Sequence, residues 1–215
     1  MVVLSKLPHL HYKRGKQTTI MPLQEFRAKL DSAPLNQEQK AYILLLWHCG
    51  IRKSEAYERV AEDVAVTSTH VIVNFHRRKK RGLEVPPLKL PREFYGVDDI
   101  LVPYLLKPKR RRQKSVFTYV RKGGKLKTTK KTVKAKWVFP NIHSTTAWNI
   151  VKQTLGAEYY PHYLRLRKLS KIGKNREKGS IMHLRSFSGI KSLGSLEAYM
   201  GIDEEAQDEA MEASE

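Results

Sequence analysis

Residues Pro161–Gly173 read PHYLRLRKLSKIG. A proline opens the stretch and a glycine closes it. Proline is tolerated in a first helical turn, and glycine is favoured just past a last one. Leu166 and Leu169 are three apart and share a face, with Tyr163 and Ile172 beside it, so the spacing predicts a helix with one buried stripe. His162 and Arg165 are also three apart and point the same way, close to the N-terminal end. Taken alone, this is a surface helix with a few cations in a basic protein. The rest of the chain decides otherwise.

Its 215 residues suffice for a real core, and 40% apolar residues with ten tyrosines argue against global disorder. No apolar run approaches the roughly 18 residues that span a membrane. The start, MVVLSKLPHLHYKR, places its charges after a short apolar stretch, the reverse of a signal peptide. Cys49 stands alone, which removes disulfide frameworks and cysteine-based zinc sites. The carboxylates show no metal-ligand spacing, so neither metal nor cofactor is expected. The chain reads as cytoplasmic.

Charge is the strongest global signal. Net charge is +20, yet residues 201–215, GIDEEAQDEAMEASE, hold seven acids and no Lys or Arg. Setting those seven apart from the 21 acids leaves 14 against 41 basic residues, or +27 over the first 200. A body so basic points to a polyanion, of which nucleic acid is the common one. The cations cluster in HRRKKRG (His76–Gly82), KPKRRRQK (Lys107–Lys114) and RKGGKLKTTKKTVKAK (Arg121–Lys136). HVIVNF and LEVPPLKL flank the first run as strands, which makes it a hairpin tip; SVFTYV and AKWVF flank the third, with GG as a turn signal. Cationic loops held between strands suit phosphate contacts. Arg77, Arg78, Lys80, Arg81, Arg110, Arg111, Arg112, Lys130 and Lys131 are therefore the candidate nucleic-acid-contacting residues.

Helices surround these strands. TTIMPLQEFRAKLDSA reads as a capped first helix, and LNQEQKAYILLLWHCG as a second, with Asn36 as N-cap, Gly50 as stop and AYILLLW buried all round. SEAYERVAED, VDDILVPYLL and STTAWNIVKQTLG read as further helices, and KGSIMHLRSFSGIKSLGSLEAYMG as one or two short ones. The expected class is α+β: mainly helical, with a small antiparallel sheet early and a basic β-hairpin in the middle. Trp47 and Trp148 are assigned to the core and Cys49 to a buried thiol, while His9, His11 and His143 carry no partner spacing and take no role.

GIRKSE (Gly50–Glu55) sets Arg52 just past the glycine that ends an apolar helix, with EDV (Glu62–Val64) downstream. A lysine-bearing hairpin, WVFPN (Trp137–Asn141), HYLR (His162–Arg165) and SLEAYMG (Ser195–Gly201) follow in that order. In this order and spacing the sequence resembles the catalytic domain of the tyrosine recombinases, or phage integrases, over roughly residues 15–201. GIRKSE resembles that family's first arginine box, HYLR its His-x-x-Arg box, and SLEAYMG the segment bearing the nucleophilic tyrosine. The resemblance implies Arg52, Lys79, His162, Arg165 and Tyr199 as catalytic residues, with the hairpin lysine chosen from Arg78, Lys79 and Lys80. The third-box position, usually His or Trp, falls on Phe187 with three extra residues before Tyr199, or on Ile190 without them; Phe187 is chosen, so an aromatic packing role replaces a polar donor there. Leu166 and Arg167 follow the second arginine, where the family often has His or Thr.

The implied organisation is a linker or N-terminal extension over residues 1–20, a catalytic domain over 21–200 and an acidic tail over 201–215. With only about 20 residues ahead of the first helix, where the family usually carries an N-terminal DNA-clamping domain, the sequence is expected to be a catalytic fragment, a split gene product or a naturally minimal enzyme, the first being favoured. The implied partners are double-stranded DNA and further copies of the chain in a tetrameric synapse, on nucleoid or viral DNA. Two other functions share these features: a type IB topoisomerase-like nicking-closing enzyme, and a non-catalytic basic nucleic-acid-binding protein.

The chemistry asks for these residue types on its own account. Conserving phosphodiester energy needs a nucleophile that stays on the phosphate, as a tyrosine hydroxyl does. Its reference pKa of about 10 makes it poor at neutral pH, so guanidinium charge must favour the phenolate. Two arginines hold non-bridging oxygens bidentately, which a lysine point charge does not reproduce. Such donors are typically worth about 3 kcal/mol of barrier each. His162 would bond the phosphate or take the tyrosine proton, and Lys79 would protonate the departing 5′ oxygen.

Overall fold

The computed structural model describes residues 21–74, 86–122, 125–173, 187–188 and 196. Helix α1, Leu23–Ser32, buries Phe26 and Leu30 one turn apart. Helix α2, Gln37–Cys49, opens with a reciprocal cap: the Gln39 N–H donates to Asn36 Oδ1 and the Asn36 N–H to Gln39 Oε1, both at 3.0 Å. It stops at Gly50, whose φ of 56° lies in the left-handed region that glycine enters without a Cβ penalty. Ala41 to Trp47 are all buried, as the apolar run requires, and so is Cys49. Phe26 stacks on Trp47 with ring centroids 3.7 Å apart.

Helix α3 is only Lys53–Tyr57, shorter than SEAYERVAED suggests. Beyond it the backbone leaves the helix because Val60 pairs with Trp137 in an isolated β-bridge and donates its N–H to Asp63 Oδ2 at 3.1 Å. Those bonds satisfy the backbone without a helix. Strands β1 (Val64–Val66), β2 (His70–Val73) and β3 (Leu88–Pro91) then form an antiparallel sheet in chain order, with Val71 opposite Leu90. The strands expected on either side of HRRKKRG therefore pair with each other. The tip between them, with Arg77, Arg78, Lys79, Lys80 and Arg81, lies outside the described residues. VDDILVPYLL is a π-helical turn, Val97–Leu101, leading into α4, Val102–Leu106.

The basic β-hairpin expected in the middle of the chain is present, but its strands run further than SVFTYV and AKWVF suggest: the third basic run is no loop, since Lys125–Ala135 is itself a strand, β5, returning along β4, Arg112–Lys122. They pair residue for residue from Lys122↔Lys125 to Arg112↔Ala135. Interleaved Thr and Val supply β-propensity that the lysine count conceals. The register also staggers the charge: Lys131 pairs with Val116, Lys130 with Phe117 and Lys127 with Val120, and only Lys122↔Lys125 pairs two basic residues.

Helix α5, Ser144–Leu155, buries Ala147, Ile150, Val151 and Leu155. Trp148 is not core, contrary to the sequence assignment. It lies on the opposite face of α5, 39% exposed, with Lys53 and Lys152 ammonium groups over its ring at 5.5 and 5.8 Å. Helix α6 is Pro161–Gly173, as predicted.

The chain forms two compact units, Gln24–Arg165, and Met1–Leu23 with Leu166–Glu215. In the second, Leu166, Leu169 and Leu196 form a buried cluster on which Ile172 and Phe187 pack, and Arg167 Nε donates to the Met21 carbonyl at 3.1 Å. The class is α+β with small antiparallel sheets. Among the described residues, no helix is long and apolar enough to cross a membrane.

Candidate active site

Two chain turns build the site within the Gln24–Arg165 unit. Two residues past the stop of α2, Arg52 precedes α3 in extended conformation. Its backbone N–H donates to Glu55 Oε2 at 2.8 Å and its guanidinium Nη1 to Glu55 Oε1 at 2.7 Å. One buried carboxylate thus holds both backbone and side chain of Arg52, and 36% of that side chain stays exposed.

The second arginine arrives from α6. Arg165 Nη1 donates to the Gly50 carbonyl at 3.0 Å, across 115 residues of sequence. Arg165 is 2% exposed, among the largest fully buried side chains of the protein. The left-handed turn at Gly50 leaves its carbonyl outside the helical ladder, where a guanidinium can take it up.

His162 lies one turn earlier on α6 and keeps an exposed surface. Loss of hydration lowers its pKa from the usual imidazole value, and the charges of Arg165 and Arg52 lower it further. Burial alone would raise the Glu55 carboxyl. The Arg52 charge and hydrogen bonds, with the Arg165 charge, outweigh burial and hold it below the ordinary value. Both arginines therefore act on the same imidazole and the same carboxylate, which brings the two sequence boxes to one locus.

Neighbouring groups frame it. Lys53 does not share Glu55: its Nζ donates to Ser144 Oγ at 2.8 Å and lies over the Trp148 ring. Trp148 in turn stacks on Tyr160 with centroids 6.1 Å apart. Tyr159 and Tyr160 both have phenols raised by burial, and Tyr159 packs edge-on against Tyr163 at 4.8 Å. A raised phenol is the wrong adjustment for a nucleophile. A cleft of about 650 Å³, lined by Arg27, Thr69, Arg92, Tyr95 and Asp98, lies on other elements and mixes both charges.

Lys79 and Tyr199 lie outside the described residues. Phe187 is half-buried on the Leu166–Leu169–Leu196 cluster. Arg110, Arg111, Arg112, Lys130 and Lys131 are exposed, and Arg112 Nη1 donates to Asn141 Oδ1 at 2.9 Å. Sequence reasoning assigned no role to Glu55. Its signal was available: an acid three residues after Arg52 reaches back across one helical turn.

No protein-family model and no curated protein matches this sequence. Solved structures do. All of this chain superposes on 56% of the XerH site-specific recombinase bound to its difH substrate in a pre-cleavage complex, with a TM-score of 0.63 and 14% identity. The fold is that of a tyrosine recombinase catalytic domain. The recombinase fold recurs in XerA recombinase, with a TM-score of 0.58 and 15% identity over 95% of this chain and 66% of that one. It recurs again in the Tn1549 transposon integrase in complex with circular intermediate DNA, at 0.54 and 12% over 93% of this chain and 69% of that one. This chain thus spans only about half the length of the XerH recombinase whose fold it shares.

Proposed function

We propose that this chain is the catalytic part of a site-specific DNA recombinase or integrase, cutting and rejoining strands through a covalent 3′-phosphotyrosine. The convergence of Arg52, Arg165 and His162 carries this reading: three groups from two distant boxes, each suited to hold a phosphate, meet at one cationic locus of a recombinase fold. XerH captured with difH before and after cleavage, and the Tn1549 integrase with DNA, support duplex DNA as partner.

In this mechanism Arg52 and Arg165 neutralise the non-bridging oxygens as charge builds on the phosphoryl group. Glu55 and Gly50 hold the two forks before substrate arrives, so little reorganisation remains in the transition state. With its pKa lowered, His162 is neutral at pH 7 and can accept the tyrosine proton or bond the phosphate. Tyr199 Oη attacks phosphorus, the bond to the 5′ oxygen breaks, and Lys79 supplies the proton that oxygen takes up. A 5′ hydroxyl from another strand later reverses the step, returning phenol and phosphodiester. Residues 21–200 form the catalytic domain in this reading, 201–215 an acidic tail, and the chain self-associates on DNA as a tetramer.

Covalent capture tests it. A library of nicked duplexes, whose short 5′ fragment diffuses away after cleavage, should yield protein–DNA adducts whose sequence names the site. Tyr199→Phe should bind the same duplexes and form none. Adducts surviving in Tyr199→Phe would refute the nucleophile. Strand exchange between two marked duplexes separates a recombinase from a nicking-closing enzyme.

A further inference from the structure

The β4–β5 ribbon forms a sheet of its own, separate from β1–β2–β3. Nine of its 22 strand residues are Lys or Arg and none is acidic. We propose that this ribbon is a second DNA-binding element that inserts into the major groove of duplex DNA. The inference rests on DNA being the substrate and extends that reading to a groove contact apart from the phosphate locus.

The ribbon is clamped at its root. Lys114 is 3% exposed and donates its ammonium to the carbonyls of Tyr57 at 2.6 Å and Phe139 at 2.9 Å. Trp137 Nε1 donates to the Arg112 carbonyl at 2.8 Å. Lys114 pairs with Val133, so both belong to the ribbon face that the body covers there. Cover ends at once, because Lys131 and Thr129, next on that face, are exposed. On the opposite face Thr132, Lys130 and Lys134 are exposed too. From Lys131 to the end of β5 at Lys125, six residues at about 3.3 Å each carry the strand roughly 20 Å further.

Charge placement selects the partner. Lys130 and Lys131 are adjacent on a strand and therefore point to opposite faces. A ribbon lying flat on one phosphate backbone would need cations on one face only. Cations on both faces match a slot with phosphates on either side. The major groove, about 12 Å wide, admits a two-stranded ribbon, whereas the minor groove, about 6 Å wide, does not. A lone two-stranded ribbon is marginal in water, and one this basic repels itself. A phosphate-walled groove would offset that repulsion.

The test uses the full chain with a mixed-sequence duplex in which 5-bromouracil replaces thymine, setting the photoreactive bromine on the major-groove edge. Ultraviolet cross-links should map to peptides within 116–134. The triple variant Lys130→Gln, Lys131→Gln, Lys134→Gln should lose most of them and lower the slope of log affinity against log salt by roughly 2 to 3. Cross-links confined to other segments would overturn the proposal, as would ribbon cross-links unchanged in the variant. A reduced salt slope without ribbon cross-links in the wild type would put the ribbon on outer phosphates and also overturn it. Tyr199→Phe keeps the cross-link under this proposal. If the wild-type chain gives ribbon cross-links but no covalent capture on any nicked duplex, the recombinase reading fails and this one stands.

Discussion

Arg165 Nη1 and the Gly50 carbonyl are joined at 3.0 Å, and that bond ties helix α6 to the turn that presents Arg52. The two arginines are thereby held by one piece of structure. Arg52→Lys and Arg165→Lys should each slow covalent-adduct formation on a nicked duplex by about a hundredfold or more, because a point charge replaces a planar fork. DNA affinity should barely move, since each is one contact among many. Lys53→Ala is the control: its ammonium is engaged by Ser144 and Trp148, and the adduct rate should hold. Equal losses at Arg52 and Lys53 would remove Arg52 from the site.

Glu55→Gln tests whether Arg52 needs its carboxylate. The amide can still accept the Arg52 N–H but carries no charge, so we expect about a tenfold slower adduct formation together with lower thermal stability. The pH dependence has a definite sign. The folded carboxyl sits below the ordinary 4.5, so its stabilisation is complete above that value and is lost as pH falls through the folded pKa. The wild-type advantage in unfolding midpoint over Glu55→Gln should shrink in that acidic range. A constant difference would contradict the pairing.

His162 should titrate below 6.5 in the free protein. The unfolded chain then takes up its proton first, so this group costs stability as pH falls below 6.5. Phosphate beside the imidazole would offset the two arginine charges and raise the pKa again. Imidazole proton shifts followed by NMR, with and without duplex, should display both changes. An unaltered pKa on DNA binding would leave the phosphate elsewhere.

Lys114 is held down to about 8 by burial, with Glu58 and Glu38 partly opposing. Between about 8 and the ordinary 10.5 the unfolded chain binds the extra proton, so this residue adds stability as pH rises across that window. Lys114→Met should abolish the rise relative to wild type. It should also cost on the order of 1–3 kcal/mol at neutral pH, because the Tyr57 and Phe139 carbonyls lose their donor. Paired denaturant titrations at several pH values would measure both effects.

What could be read from the chain alone was whatever neighbours in sequence decide. Asn36 and Gln39 cap α2 through each other, and Gly50 ends it by its own backbone freedom. The helical period puts His162 and Arg165 on one side of α6, and two-residue alternation marks β2 and β3. Where long-range partners decide, local pattern failed. Lys125–Ala135 is a strand because β4 sets each lysine but one opposite an uncharged residue, a register invisible in a run of cations. Trp148 is apolar by composition, yet α5 turns it toward Lys53 and Lys152. Residue type and order marked Arg52 and Arg165 as a pair, and Glu55 was within local reach of Arg52, but only the folded chain joined Arg165 to Gly50. Hydrogen bonds of that reach depend on where the backbone arrives after more than a hundred intervening residues, and no local period encodes that arrival.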